Sequence, residues 1–226
     1  ETICTEVIDG MCEQGEVDLV EALSQPFPLL VICDMMGIPR SEFDTVLEAT
    51  NVILGGGDPD FIGDEDPMAA LMNAGMRLNM LMNELAEERR ANPQDDLTSA
   101  LVHNDLGEEL LAPNEVAPFF ILLAVAGNDT TRNAISHGVD LLSRNPEQRA
   151  IWQQDLDAVT PTAVEEILRM ASPVTYMRRT ATTDVELSGH EFHEGDRVVL
   201  FYGAANRDPR VFDDPADPYT RTLLGA

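Results

Sequence analysis

The stretch Ala126-Gly127-Asn128-Asp129-Thr130-Thr131 interrupts an otherwise apolar helical pattern with a glycine, a carboxylic acid and two hydroxyls. Inside a helix, glycine costs about 1 kcal/mol relative to alanine. A carboxylate and hydroxyls on a buried helix are costly unless satisfied. Local rules broken together in mid-helix point to function. The small Ala126 and Gly127 suit a flat group lying against the helix, and the Thr130 hydroxyl can bond back to the Ala126 carbonyl, bending the helix locally. An acid and a hydroxyl side by side, Asp129 and Thr130, have the composition of a proton relay. The alternative is a polar patch facing another helix.

Two further groups carry chemistry. Glu166 and Arg169 stand at i,i+3 and can pair on one helix face. Such pairs are common on surfaces and contribute little there, but this one is followed at once by Ser172-Pro173 and then by Arg178-Arg179. Arg179 leads into a strand and could clamp a carboxylate with its two-pronged guanidinium; the plain alternative is a surface arginine on a hairpin. No HExxH or comparable His/Asp cluster is present, which argues against a metal hydrolase.

The elements that must position these residues are legible as a series of helices followed by a small β region. The apolar stretch Leu29–Met36 ends at Gly37-Ile38-Pro39, a helix stop. Ser41 is expected to cap a helix to about Leu54, with Asp44 at N3. Gly55-Gly56-Gly57-Asp58-Pro59 breaks it, and an acidic loop is expected to about Pro67. Met68 to Arg90 is the next helix. Its Met68, Met72, Met76 and Met80 recur at i+4, a pattern that fits core packing or an adaptable apolar pocket. Leu97 to Val102 is a short helix and Asn104 to Leu111 an acidic turn. Pro113 opens the longest helix, to about Arg144, with Pro118 expected to bend its start. Glu147 to Leu156 carries the only Trp, Trp152. Thr160-Pro161 is expected to start a helix over Thr162–Met170. Val185–Leu187, Ser188-Gly189-His190 and Val198–Tyr202 read as hairpin strands with glycine turns. Asp208-Pro209, Asp214-Pro215 and Asp217-Pro218 mark an irregular tail.

Taken in order, Ala126-Gly127-x-Asp129-Thr130-Thr131, Glu166-x-x-Arg169, Arg179-Thr180-Ala181 and Ala205-Asn206-Arg207-Asp208-Pro209 with Val211-Phe212 resemble the cytochrome P450 family, in its soluble bacterial form. The similarity runs back through Asp18-Leu19-Val20, Pro28–Ile32 and Gly37-Ile38-Pro39. The resemblance implies a mainly α fold with a small β region: a long central helix, surrounding helices and a C-terminal hairpin region. It implies a haem b monooxygenase that inserts one oxygen atom from O2 into a C–H bond of a hydrophobic substrate, a sterol, terpene or lipid. Electrons would come from a ferredoxin-type donor. Asp129 and Thr130 would be the catalytic acid and hydroxyl; Ala126 and Gly127 would lie against the haem and Arg179 would bind a propionate. Glu166 and Arg169 would be the structural pair behind the haem, and Arg221 lies near the place of a third member. The loop 55–67 would serve as a lid over substrate, and His137, two turns past Asp129, would be packing.

The resemblance also implies an axial cysteine in a glycine-rich loop beyond the Asn-Arg-Asp-Pro segment, as thiolate ligation is the family's device. None of Cys4, Cys12 and Cys33 is at that place, so no residue here is expected to bind metal. The chain starts at Glu1 and ends at Leu224-Gly225-Ala226, and residues 1–226 are expected to be one partial domain cut at both ends. A haem-free helical binding protein is the competing expectation for such a chain.

Composition limits the remaining classes. The 226 residues carry a net charge of −27, and all 14 basic residues are arginine. Residues 1–113 hold four Arg against 24 acids, while residues 114–226 hold ten Arg against 17. Such a chain repels nucleic acid and anionic membranes. The second half has the arginines that an anionic cofactor needs. Three cysteines without a CxxC pair indicate a reducing compartment, expected to be the cytoplasm. The longest uncharged apolar run, Val116–Gly127, is too short to cross a bilayer.

Overall fold

In the computed structural model, residues 2–103 and 113–212 are described, and they divide into two compact units, Glu1–Arg132 and Asn133–Ala226. The acidic turn expected at 104–111 and Arg221 lie outside the described residues. As expected, the chain is mainly helical with a small β region.

The first unit comprises α1 (Thr2–Cys12), a π turn at Val20–Ser24, α2 (Pro26–Met36), α3 (Phe43–Gly55), α4 (Pro59–Ile62), α5 (Pro67–Ala91), α6 (Leu97–His103) and most of α7 (Pro113–Arg144). Its core joins Leu29, Ile32 and Met36 of α2, Val46 and Ala49 of α3, Leu78, Met82 and Leu85 of α5, and Val116, Phe120 and Ala124 of α7. α2 ends where Gly37 turns left-handed at φ 74°. Its N–H there reaches back to Asp34, and that of Ile38 to Cys33, closing the last turn as C-terminal glycines do.

A buried ionic staple ties three helices together beside that glycine. Arg89 of α5 donates from Nε to Asp96 Oδ2 at 2.5 Å and from Nη2 to the Gly37 carbonyl at 2.9 Å. Asp96 also accepts the Ser99 N–H at 2.7 Å, at the start of α6. The Thr98 hydroxyl donates to the Met36 carbonyl at 2.6 Å. A carbonyl can only accept, so His103 Nε2 is the donor in its 2.8 Å bond to the Arg89 carbonyl.

In the first unit two local expectations are corrected and a third is decided between its alternatives. Ser41 does not cap α3: Pro39 sends the chain into a 3-10 turn over Arg40–Glu42, the helix begins at Phe43, and no side chain caps it. The acidic loop holds a helical turn, α4, because Asp58 accepts from the Asp60 N–H and Pro59 fits the first position. The methionine stripe of α5 is not core: Met68, Met72, Met76 and Met80 are 56–64% exposed. Met76 and Met80 instead line an open cleft of about 690 Å³ with Val52 and Phe61.

The second unit holds the end of α7, α8 (Pro146–Gln154), α9 (Leu156–Ala171), β1 (Tyr176–Thr180), β2 (Val185–Leu187), β3 (His190–Phe192), β4 (Arg197–Phe201), α10 (Tyr202–Ala205) and α11 (Pro209–Phe212). β1 pairs antiparallel with β4, Arg179 opposite Val198, and β2 with β3. The β2–β3 turn has both central residues left-handed, Ser188 at φ 53° and Gly189 at φ 78°, the twist that tight hairpins favour. α7 can approach α9 because residue 138 is glycine: a Cβ there would lie 3.2 Å from Ile167.

α9 starts earlier than Thr160-Pro161 suggests. Asp155 caps it by accepting the Ala158 N–H at 3.1 Å, and Pro161 is carried inside the helix. Thr160 is thereby one turn in, its hydroxyl donating to the Leu156 carbonyl and accepting from Trp152 Nε1. Asp155→Ala is expected to lower stability by about 1 kcal/mol, read by thermal denaturation; Ser41→Ala should leave it unchanged.

Candidate functional site

α7 sets the first group of residues. Its buried face in the first unit runs through Val116, Phe120 and Ala124 at steps of four. Ala126 lies on the exposed side. The Thr130 hydroxyl donates to the Ala126 carbonyl at 2.8 Å, the back-bond expected of it. Asp129 pairs with Arg132 one turn on, with its side chain still 35% exposed. The i,i+3 spacing of Asp129 and Arg132 is the sequence signal for this pair. Gly127 has a packing reason for being glycine: a Cβ would come within 3.0 Å of Ile32 Cδ1 on α2. His137, expected to be packed, is exposed.

The second group lies in the second unit. Arg169 grips Glu166 with two bonds, Nε to Oε2 at 2.7 Å and Nη2 to Oε1 at 2.6 Å. Its third nitrogen, Nη1, donates to the Asn206 carbonyl. Its guanidinium lies 4.5 Å over the Phe212 ring. The Asn206 amide donates to the Ser172 hydroxyl, which donates to the Arg169 carbonyl. Arg207 reaches the carbonyls of Gly203 and Met170. Asp208 takes both Arg210 Nε and Nη2, and these bonds hold its carboxyl below the usual range. The Asn-Arg-Asp-Pro segment is thus a clasp on the end of α9. The Arg169 side chain is 12% exposed, and the hydrogen-bonded Glu166 carboxylate pushes its guanidinium above the usual range. Sequence had marked Glu166, Arg169 and the Asn-Arg-Asp-Pro run separately; Ser172 and Phe212 are the members that complete them.

Arg179 stands exposed on β1, its Nη1 donating to the neighbouring Arg178 carbonyl at 3.1 Å. It has no carboxylate partner among the described residues, so it is available to an anion. In the first unit Ala126 offers a flat group a small, exposed side chain, and in the second unit Arg179 offers an anion an exposed guanidinium. The described cysteines do not fit as a thiolate ligand to a metal. Cys33 is buried, and desolvation pushes its thiol up to about 12, which keeps it protonated. Cys4 and Cys12 are on α1. Among the described residues no group of three or more His, Cys, Asp or Glu could hold a metal ion, and no helix is long and apolar enough to cross a membrane.

Comparison with known proteins is consistent along the chain. The family model for cytochrome P450 matches residues 59–217. A methyl-branched lipid omega-hydroxylase of Mycobacterium tuberculosis is 54% identical over 200 residues, covering 88% of this chain and 46% of that protein. A steroid C26-monooxygenase of Mycolicibacterium smegmatis is 38% identical over 202 residues, covering 89% and 45%. The solved structure of a Mycobacterium marinum cytochrome P450 in complex with pseudoionone superposes with a TM-score of 0.85 at 40% identity, covering 93% of this chain and 51% of that one. The chain spans about half the length of the curated relatives it matches.

Proposed function

Since the chain belongs to the cytochrome P450 family, whose members bind haem, we propose that the complete protein is a haem-dependent monooxygenase of hydrophobic substrates. The haem, when bound, supplies the chemistry that puts one atom of O2 into a C–H bond, while the protein supplies orientation and protons. Residues 1–226 are read as part of one such domain, working in the cytoplasm with a ferredoxin-type electron donor. A methyl-branched lipid chain is the first substrate to try, given the 54% identity to a hydroxylase of that class.

The observation that carries this reading is the Thr130 hydroxyl bonded to the Ala126 carbonyl beside an Asp129 that solvent can reach. With its proton committed to Ala126, the Thr130 oxygen keeps lone pairs with which to accept from a water. Asp129, fixed by Arg132, stands one residue away to pass protons from solvent. Ala126, on the exposed side of the helix, lies against the haem face, while Gly127 beside it serves the close approach of α2. Arg179 takes a haem carboxylate, and the Glu166–Arg169 pair holds the support behind it. The loop 55–67, with α4 inside it, serves as the lid on the substrate side.

The test is made in the complete protein. Thr130→Ala is expected to keep haem and substrate binding while electron consumption runs ahead of product, with peroxide taking up the difference. Coupling equal to wild type would sink the relay assignment. A reduced, carbon monoxide-treated sample lacking the thiolate-haem band would sink the wider reading.

A further inference from the structure

Asn128 is unused by the function proposed above, yet it is the most anomalous residue of α7. It continues the buried stripe of Val116, Phe120 and Ala124 by one more step of four, and it is 0% exposed. Neither its Nδ2 nor its Oδ1 has a hydrogen-bond partner among the described residues. A carboxamide offers two donors and an acceptor with two lone pairs, and buried polar side chains are nearly always satisfied. Among the described residues two other buried side-chain groups lack partners, Ser24 Oγ and Asn51 Oδ1. Ser24 has a hydroxyl that can rotate, and Asn51 borders the open cleft beside α5. Among the described residues, Asn128 alone is orphaned at both ends of its side chain and sealed from solvent.

The occupant must donate and accept at once, and it must be small enough for a closed interior. We propose that Asn128 is the anchor of an internal water site in the first unit, with water bound to both ends of its carboxamide. Internal waters are held where buried polar groups lack protein partners, typically through about three hydrogen bonds. Successive helix residues are turned by about 100°, so Asn128 and the exposed Ala126 point to opposite sides of α7. The site lies on the inner side of the helix, one residue before Asp129. It is a fixed part of the fold, separate from any solvent reaching Thr130.

A high-resolution crystal structure of the complete protein tests this directly. An ordered water within hydrogen-bond distance of both Nδ2 and Oδ1 is the expected result. A dry site, or a protein group bonded to the amide, overturns the proposal. Stability gives an independent reading with opposite signs. If water is held, Asn128→Leu strands it in an apolar pocket, and the melting temperature falls by about 2–4 °C or more. If the amide is dry, the same substitution removes an unsatisfied polar group while keeping its branched shape, and the melting temperature rises. A rise, or no change, overturns the proposal; should the variant fail to fold, the wild-type crystal structure still decides.

Discussion

Arg89→Ala is expected to destabilise the first unit by about 3–5 kcal/mol, the usual cost of leaving one half of a buried ion pair alone. The Arg89 and Asp96 side chains are only 10% and 5% exposed. Removing the guanidinium leaves the Asp96 carboxylate uncompensated and the Gly37 carbonyl without its donor. Acidity should separate this mechanism from simple loss of packing. Burial alone pushes the Asp96 carboxyl up. The Arg89 hydrogen bond, the Ser99 N–H and hydroxyl, and the Arg89 charge together bring it below its usual value. A carboxyl lowered by folding contributes stability above its unfolded value of about 3.9, and that contribution is lost as pH falls through the folded value. The gap between wild type and Arg89→Ala is therefore widest at neutral pH and narrows in acid. Denaturant titrations at several pH values measure it, and a gap independent of pH would refute the ionic account. Gly37→Ala should injure the same staple from the other side. The new Cβ would sit 2.0 Å from Asp96 Oδ2 at a backbone φ of 74°.

The second large effect is expected at Arg169. Arg169→Ala removes two bonds to Glu166, one to Asn206 and the stack on Phe212. A loss of about 3 kcal/mol or more from the second unit follows, since each charged hydrogen bond is worth about 1.5–3 kcal/mol and the Glu166 carboxylate loses its partner. Lysine should not rescue it, because one ammonium cannot supply a fork, a third donor and a planar face together. In the complete protein both variants are expected to purify with little haem, as the clasp on α9 loosens. The ratio of haem absorbance to protein measures this, and a wild-type ratio in Arg169→Lys would show that the planar fork is dispensable.

Much of this architecture was legible because proline and glycine punctuate it. The sequence placed the long helix at Pro113–Arg144, where it is found, and Gly37 ends α2 as expected. The misreadings have physical causes. At Ser41 a good capping residue was outranked by Pro39, whose fixed backbone admits a 3-10 turn first. At Thr160-Pro161 the capping pair was real chemistry in the wrong role, because Asp155 had already started the helix a turn earlier. The methionine stripe shows a limit of periodicity: it tells which residues share a face, not whether anything covers that face. In the candidate site, Thr130 with Ala126 and Glu166 with Arg169 were readable because their partners are three or four residues apart. Asn206 and Phe212 reach Arg169 across some forty residues of chain, and no local spacing encodes such a meeting. Gly127 drew attention for its smallness, but the neighbour that requires it, Ile32, lies far back in the sequence.

The division between the two units also separates the chain's natural reporters. Its single tryptophan, Trp152, and all three tyrosines, Tyr176, Tyr202 and Tyr219, follow Asn133, whereas all three cysteines precede it. Intrinsic fluorescence therefore follows the second unit alone, through an indole that donates to Thr160. Thiol labelling follows the first, because the exposed Cys12 reacts at once while the buried Cys33 waits for opening. Two optical signals from one unmodified sample can thus time the melting of each half without an engineered probe. Arg89→Ala should hasten the slow thiol phase before it moves the emission maximum, and Arg169→Ala should do the reverse.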